Sequence, residues 1–234
     1  AQAPETRGDA LLSPENSGLH LMCFGQKGLY WVRLAAQGKG AHGAFVHRGK
    51  SAVDVMTAAL TDLRSRLESL GPALSPELEH YFDAAREDLR ELLQPDDLEI
   101  LRKVTTNVGR LHGGEKVNLV AETCEAELDI RLPPGVLVDH IREIAKSVLS
   151  GHPGVEWEEI QAYDPTVSEP ASAVFHTLRE EVARVTGSEP LAALRIGATD
   201  ARLFRAAGIA SATYGPTGHN VGGPDEYVEL DELQ

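Results

Sequence analysis

The chain predicts a mixed α/β protein in two parts. One is an α+β unit built on a split βαβ antiparallel sheet with helices on one face; the other is part of an α/β unit. Three observations lead there. Between residues 29 and 163 the apolar patterning spells strand, helix, helix, strand, strand, helix, strand, an order that folds as an antiparallel sheet backed by helices. From residue 164 the order changes to helix, strand, helix, strand, the alternation of parallel α/β layers. That second stretch offers too few elements to close a two-faced layer, so most of its sheet is expected from elsewhere.

Each element has its own warrant. Residues 1–18 read as a loop around the short apolar piece ALLSPENSG. GLHLMCF alternates and is a strand candidate ended by the turn GQKG. GLYWVRLAAQ is a stronger strand, with aromatic, β-branched and leucine residues set against polar positions at period two. The glycine-punctuated GKGAHGAFVHRGK is a loop. Ser51 opens a helix in which Val53, Met56, Leu60, Leu63 and Leu67 recur at helical spacing, and Gly71-Pro72 stops it. Ser75-Pro76 opens a second helix running to the break at Pro95. ILRKVTTNVGRLHG and KVNLVAETCEAELDIRL are strands, the latter alternating over Leu119, Ala121, Cys124, Ala126, Leu128 and Ile130 with one slip that predicts a bulge. After the turn Pro133-Pro134-Gly135 come helix VDHIREIAKSVLS and strand VEWEEIQAY. ASAVFHTLREEVARVTG, LAALRI, ATDARLFRAAG and IASATYG then supply the alternating helices and strands.

Composition narrows the function classes. A 234-residue chain with 42% hydrophobic residues buries a real core. Its net charge of -14 is spread along the chain, which argues against nucleic acid or an anionic membrane as partner. Cys23 and Cys124 are too few and too far apart for a disulfide framework or zinc ribbon, so a reduced, cytoplasmic setting is expected. No apolar run approaches the length of a membrane span, and AQAPETRGDALL lacks the basic start and apolar stretch of a signal peptide. The chain begins without Met in loop-like composition, which reads as a fragment.

Four stretches carry a resemblance to a known family. They are GQKGLYWVRLAAQGKGAHGAFVHRGKSAV, GGEKVNLVAETCEAELDIRLPPG, IGATDARLFRAAGIASATYGP and GHNVGGPDEYVEL. In this order they resemble the lid entry, the Asn-containing strand with its Arg-Pro-Pro turn, the Gly-x-Thr-Asp-Ala-Arg segment and the closing metal-ligand loop of the M20 metallopeptidases, the group of acetylornithine deacetylase, succinyl-diaminopimelate desuccinylase, aminoacylase and carboxypeptidase G2. The resemblance implies that residues 1–19 end an N-terminal catalytic segment, 20–163 form a lid (dimerisation) domain and 164–234 belong to the zinc-binding catalytic domain. The family's His-x-Asp pair does not occur in this sequence, and Glu158-Glu159 and Glu180-Glu181 stand in the wrong place for its Glu-Glu pair.

By the same resemblance His42, within Gly40-Ala41-His42-Gly43, reaches across a two-fold dimer to polarise the scissile carbonyl of the partner's substrate. Asn118 and Arg131 hold the substrate's carboxylate, for which an arginine fork is suited; the alternatives are an edge cap for Asn118 and a strand-end ion pair for Arg131. Gly197 and Gly215, the latter followed by Pro216, shape the pocket wall. Asp200 and Arg202 read alternatively as a helix-starting turn with an internal ion pair.

The late ligand histidine of the family usually stands four residues before the loop's Glu. Here that position is Gly222, with His219 three residues earlier; His219 is either the metal ligand or a surface loop histidine. Glu15 is the other candidate metal ligand, in Ser13-Pro14-Glu15 where relatives have Glu-Pro, or else a solvated acid. Asp225 and Glu226 are expected to orient the loop. His47, His112 and His140 have no supporting context.

The resulting expectation is a portion of a zinc-dependent hydrolase that cleaves an amide bond of an N-acyl amino acid or small peptide and is inactive as this isolated chain. The complete enzyme would hold two zinc ions, or another divalent metal such as cobalt, and form a homodimer through the lid. The alternative is a non-catalytic dimerisation or interaction module derived from such an enzyme.

Overall fold

The structure, a computed structural model, describes residues 8–71, 74–84, 89 and 95–233. Its strands in chain order are β1 (Ala10–Ser13), β2 (Leu21–Gln26), β3 (Gly28–Gln37), β4 (Thr105–Gly113), β5 (Thr123–Leu132), β6 (Val155–Tyr163), β7 (Thr166–Val167), β8 (Leu191–Arg195) and β9 (Ala210–Thr213). The helices are α1 (Ala52–Glu68), α2 (Pro76–Ala84), α3 (Pro95–Leu101), α4 (Val138–Leu149), α5 (Ala173–Thr186) and α6 (Ala201–Ala206). The chain divides into two compact units, one of Gly28–Ala73 and Arg102–Asp164, the other of Ala1–Lys27, Leu74–Leu101 and Pro165–Gln234.

In the first unit β4, β5, β3 and β6 pair in that order, antiparallel throughout. The period-two alternation of β3 and β5 separates two faces. Tyr30, Val32, Leu34 and Ala36 turn inward with Cys124, Ala126, Leu128, Ile130 and Leu132, and meet Met56, Leu63 and Leu67 of α1 and Ile141 and Leu149 of α4 in one apolar core. Helix α1 starts where the Ser51 hydroxyl accepts from the Asp54 N–H at 3.1 Å, one of the unpaired amides of a helix start. The opposite face carries a charged ladder in which Arg33 meets Glu127 at 3.0 Å and Glu158 at 3.4 Å, and Arg110 meets Glu127 at 3.2 Å. Exposed pairs of this kind are screened by water and contribute little, whereas burying one Leu or Met side chain contributes about 1.5–3 kcal/mol. The apolar face therefore decides the fold of this unit, and the ladder keeps the other face soluble.

The bulges differ from the sequence expectation. Strand β5 is regular and begins at Thr123, because Leu119 and Ala121 lie in the preceding loop and only imitate strand alternation. The irregularities fall on the two edge strands instead: at Gly109 of β4, where Val108 and Arg110 pair with neighbouring residues of β5, and at Ile160 of β6. Bulged edges resist adding a further strand. Strand β4 also starts later than predicted, since Ile100 and Leu101 end α3.

The second unit has a five-stranded mixed sheet. β1 runs parallel to β9, from Ala10 opposite Ala210 to Ser13 opposite Thr213, and β2 runs parallel to β8. β7 joins β2 antiparallel, and Cys23 bridges Thr213. The predicted elements from α5 to β9 are present. The short strands β1 and β7 are additions, too brief to leave a periodic signal. Leu21, Met22 and Phe24 of β2 pack with Phe175, Leu178 and Val182 of α5, with Ala192–Leu194 and with Leu89 and Leu101.

Residues 20–27 and 74–101, read from sequence as part of the 20–163 segment, thus fall within this compact unit. The helix expected after Ser75-Pro76 is described over Pro76–Ala84 and at the helical, buried Leu89; the rest of that expected helix lies outside the described residues. Among the described residues no helix is long and apolar enough to cross a membrane.

Candidate functional site

The loop leaving β3 is built to hold His42 in one place. Lys39 and Lys50 close its base with two backbone hydrogen bonds of 2.7 and 2.8 Å, and the Gly38 N–H donates to Glu122 O at 2.7 Å. No side chain fits at Gly38, where a Cβ would stand 2.3 Å from the Lys50 carbonyl oxygen. At the tip the Gly43 N–H donates to Asn118 O at 2.7 Å and the Val120 N–H to Ala41 O at 2.8 Å, so that His42 bridges Leu119. His42 (φ -67, ψ 137) then opens the short 3-10 turn Gly43–Arg48, its Nδ1 accepting from the Ala44 N–H at 3.1 Å. His42 and Asn118 are both exposed and stand beside a depression of about 320 Å³ lined by Gly40, Ala41, Leu119, Val120, Glu122 and Thr123.

Arg131 is not with them. It lies at the far end of β5, opposite Leu29 of β3 and Thr105 of β4, whereas the His42 loop joins the end where Gln37 faces Thr123. Eight residues of extended strand put about 27 Å between Thr123 and Arg131. On the open sheet face the Arg131 guanidinium grips Asp129 side-on, Nε to Oδ1 at 2.7 Å and Nη2 to Oδ2 at 2.8 Å, with both side chains about one-quarter exposed. The strand-end ion pair is therefore present. The end-on edge of the fork, Nη1 with the second Nη2 hydrogen, has no other partner among the described residues and keeps its capacity for a further carboxylate.

In the other unit Glu15 and Gly215 lie on adjoining loops. The Ser13 hydroxyl donates to Glu15 Oε1 at 3.3 Å. Arg195 holds the next residue by both its carbonyl and its side chain, Nη2 to Asn16 Oδ1 measuring 2.5 Å. The Gly215 N–H donates to the Ser17 hydroxyl at 3.0 Å, and a Cβ at Gly215 would stand 2.6 Å from the Glu15 carbonyl oxygen. Gly197 is under no such constraint: a Cβ there would meet only Arg195 Nε, at 3.7 Å.

His219 pairs its backbone with Tyr227 through bonds of 2.9 and 3.2 Å and stacks its ring on the tyrosine, centroids 4.6 Å apart and planes 13° apart. Glu226 accepts from the Gly222 N–H at 3.1 Å. Gly222 (φ 76) and Asp225 (φ 56) both take the left-handed backbone conformation, so the glycine at 222 answers a requirement of the turn.

Whether these residues fit a zinc centre can be judged from their donors. Among the described residues no three His, Cys, Asp or Glu side chains gather to hold a metal. Glu15 and His219 supply two donors at most, fewer than the three or four protein ligands of a zinc site. The described residues do not form a complete centre.

A buried polar cluster escaped the sequence reading. Gln26, 1% exposed, takes three donors on one oxygen: the Thr199 N–H at 3.1 Å, the Thr199 hydroxyl at 2.8 Å and Arg205 Nη2 at 2.6 Å. Arg205 also donates to Thr166 Oγ1 at 3.0 Å and Ser211 O at 3.2 Å. Burial pulls its guanidinium down to about 10, which leaves it a cation at neutral pH. The cluster anchors the loop that carries Gly197 and Asp200. Polar residues inside short apolar runs were its one signal, and such residues more often face water.

The profile of the peptidase dimerisation domain of the M20 group matches residues 24–155. Aminoacylase-1 of Sus scrofa is 26% identical over 219 residues, covering 90% of this chain and 47% of that protein. A probable carboxypeptidase of Aspergillus niger is 30% identical over 159 residues, 63% of this chain and 33% of its own. Among solved structures, a metallo-carboxypeptidase of the M20 family from Sulfolobus solfataricus superposes with a TM-score of 0.76 at 21% identity, over 97% of this chain and 61% of that one. A tripeptidase from Staphylococcus aureus gives 0.70 at 20% identity, over 97% and 54%. The chain thus spans less than half the length of these curated relatives.

Proposed function

Because the chain belongs to the M20 peptidase family through its dimerisation domain, we propose that it is a portion of a metal-dependent amide hydrolase that works as a homodimer on N-acyl amino acids or small peptides. Zinc is the metal the family implies. The 234 residues alone are expected to be inactive, since the described side chains do not complete a metal site.

The observation that carries the reading is the length of β5. His42 and Asn118 stand at one end of the sheet and Arg131 at the other, too far apart to touch one small substrate within a single protomer. A two-fold dimer whose subunits lie antiparallel along the sheet resolves this, because residue i of one copy then meets j of its partner while j meets i. In that arrangement Arg131 holds the substrate's carboxylate through the free edge of its fork. The partner subunit's His42 donates to the carbonyl oxygen as negative charge develops there, with the partner's Asn118 beside it.

The test is complementation in the protein as its gene encodes it. His42→Ala and Arg131→Ala should each lose nearly all turnover of N-acyl amino acids. Co-expressed in equal amounts, about half the dimers are mixed, each with one of its two sites intact, so about a quarter of wild-type activity should return. No recovery would place His42 and Arg131 in the same site of one chain and overturn the reading. Metal analysis of the same protein tests its dependence on zinc, and a dimer without metal or turnover would favour the interaction module.

A further inference from the structure

We propose that the backbone N–H of Ala44 holds the neutral form of the His42 ring in the tautomer with its proton on Nε2, so that the ring donates outward. The oxygen acceptor served by that donor rests on the function proposed above; the fixing of the ring does not. A backbone amide has a hydrogen to give and no lone pair to offer. Ala44 N lies 3.1 Å from Nδ1, and Nδ1 must therefore present its lone pair, which leaves the single proton of the neutral ring on Nε2. In the other tautomer the proton on Nδ1 would set two N–H groups against each other.

The turn also prevents escape by rotation. The Phe45 N–H donates to His42 O at 2.7 Å and the Gly43 N–H to Asn118 O at 2.7 Å, so the amide of Ala44 is held between two fixed neighbours. The Phe45 ring stands 6.2 Å from the imidazole, and Arg48 lies over that ring, 4.5 Å from its centroid. Flipping the imidazole would exchange Nδ1 for a carbon and forfeit the bond to Ala44.

Ala44 is thus a positioning residue acting through its main chain. His42 becomes a group matched to a carbonyl or carboxylate oxygen. It is unfit as a general base or as a metal ligand, because both need a lone pair at the exposed nitrogen.

The test reads the ring itself. In the 234-residue chain labelled with nitrogen-15, long-range proton–nitrogen correlation of the neutral ring should show the His42 Nε2 protonated and Nδ1 bare. Ala44→Pro removes the donor at a place in the first turn where proline is tolerated, after a glycine that accepts the restriction proline imposes. The ratio of the two neutral tautomers should then move toward Nδ1–H by about five-fold or more, the worth of one net hydrogen bond. If the proline variant does not fold, replacing the same amide by an ester deletes the N–H alone and should give the same change.

A dominant Nδ1–H form in the parent chain, or a ratio unmoved by both replacements, would overturn the inference. His42→Asn, which keeps an acceptor near the position of Nδ1, should preserve slow exchange of the Ala44 amide, and His42→Gln should lose it. Equal exchange in the two variants would count against Ala44 as the donor. None of these readings depends on turnover, so a failed complementation experiment removes the catalytic role and leaves the tautomer standing or falling separately.

Discussion

Replacing Gln26 by Leu tests how the second unit holds its loop. The side-chain oxygen of Gln26 accepts from the Thr199 N–H, the Thr199 hydroxyl and Arg205 at 2.6 to 3.1 Å. Its own Nε2 is buried without a hydrogen-bond partner among the described residues. Leucine would abandon a buried amide at a cost of about 1–3 kcal/mol and a contact of a buried cation at a cost of about 1.5–3 kcal/mol, while relieving the orphaned Nε2 by about 1–3 kcal/mol. The loss wins, by about 2 kcal/mol. With a slope of about 2 kcal/mol per molar urea, the midpoint followed by far-UV circular dichroism should fall by roughly 1 M. Thr199→Val, which removes only the hydroxyl, should cost about 1 kcal/mol. The double variant should cost little more than Gln26→Leu alone, since the hydroxyl has then already lost its acceptor. Trp31 and Trp157 both lie in the first unit, and their fluorescence checks that this unit still folds. A shift below about 1 kcal/mol for Gln26→Leu, or strict additivity with Thr199→Val, would refute the view that one oxygen organises this cluster.

Two further outcomes follow from burial. Cys23 and Cys124 are both buried free thiols; burial pushes Cys23 up to about 11 and raises Cys124 as well. Since the thiolate is the reactive form, neither should react with a disulfide reagent at mildly alkaline pH until denaturant releases both, and a fast native-state reaction would contradict their placement. Gly38→Ala should destabilise the first unit by about 3 kcal/mol, because overpacking here meets unyielding main chain: the new Cβ would lie 2.3 Å from Lys50 O and 2.7 Å from Ala52 N. Gly71→Ala, with nothing within 4 Å, is the control, and equal tryptophan-monitored transitions for the two variants would count against the pinned loop.

How much of this was legible depended on whether a residue's role was periodic. The inward residues of β3, from Tyr30 to Ala36, and the α1 series Met56, Leu63 and Leu67 repeat at the spacing of their elements, and the core assembles them as the pattern implies. Four-residue β1 and two-residue β7 had no room to repeat, and they are strands because of what they pair with. Leu119 and Ala121 show the opposite failure. Their alternation continues that of β5, but Val120 and Ala121 hydrogen-bond to Ala41 and Ala52 instead of a strand partner, and tertiary contacts overrode the local pattern. Gln26 and Arg205 were invisible because a buried polar network is a match between distant partners, which no single stretch displays.

The candidate site follows the same logic one level higher. Asn118 and Arg131 are thirteen positions apart in the sequence, close enough to suggest neighbours in one pocket. The antiparallel sheet converts most of that separation into length, since β5 runs straight from the loop that holds Asn118 to the turn that follows Arg131. His42, much farther from Asn118 in sequence, is brought beside it because β3 returns the chain to that same end of the sheet. Under the function proposed above, the strand acts as a spacer that keeps the two halves of the proposed site apart within one copy. The longer and more regular that spacer, the more strongly a shared substrate demands a second copy. For this reason the missing bulge in β5 bears on function as well as on fold: a kink between Thr123 and Arg131 would shorten and bend the reach on which the two-fold argument depends.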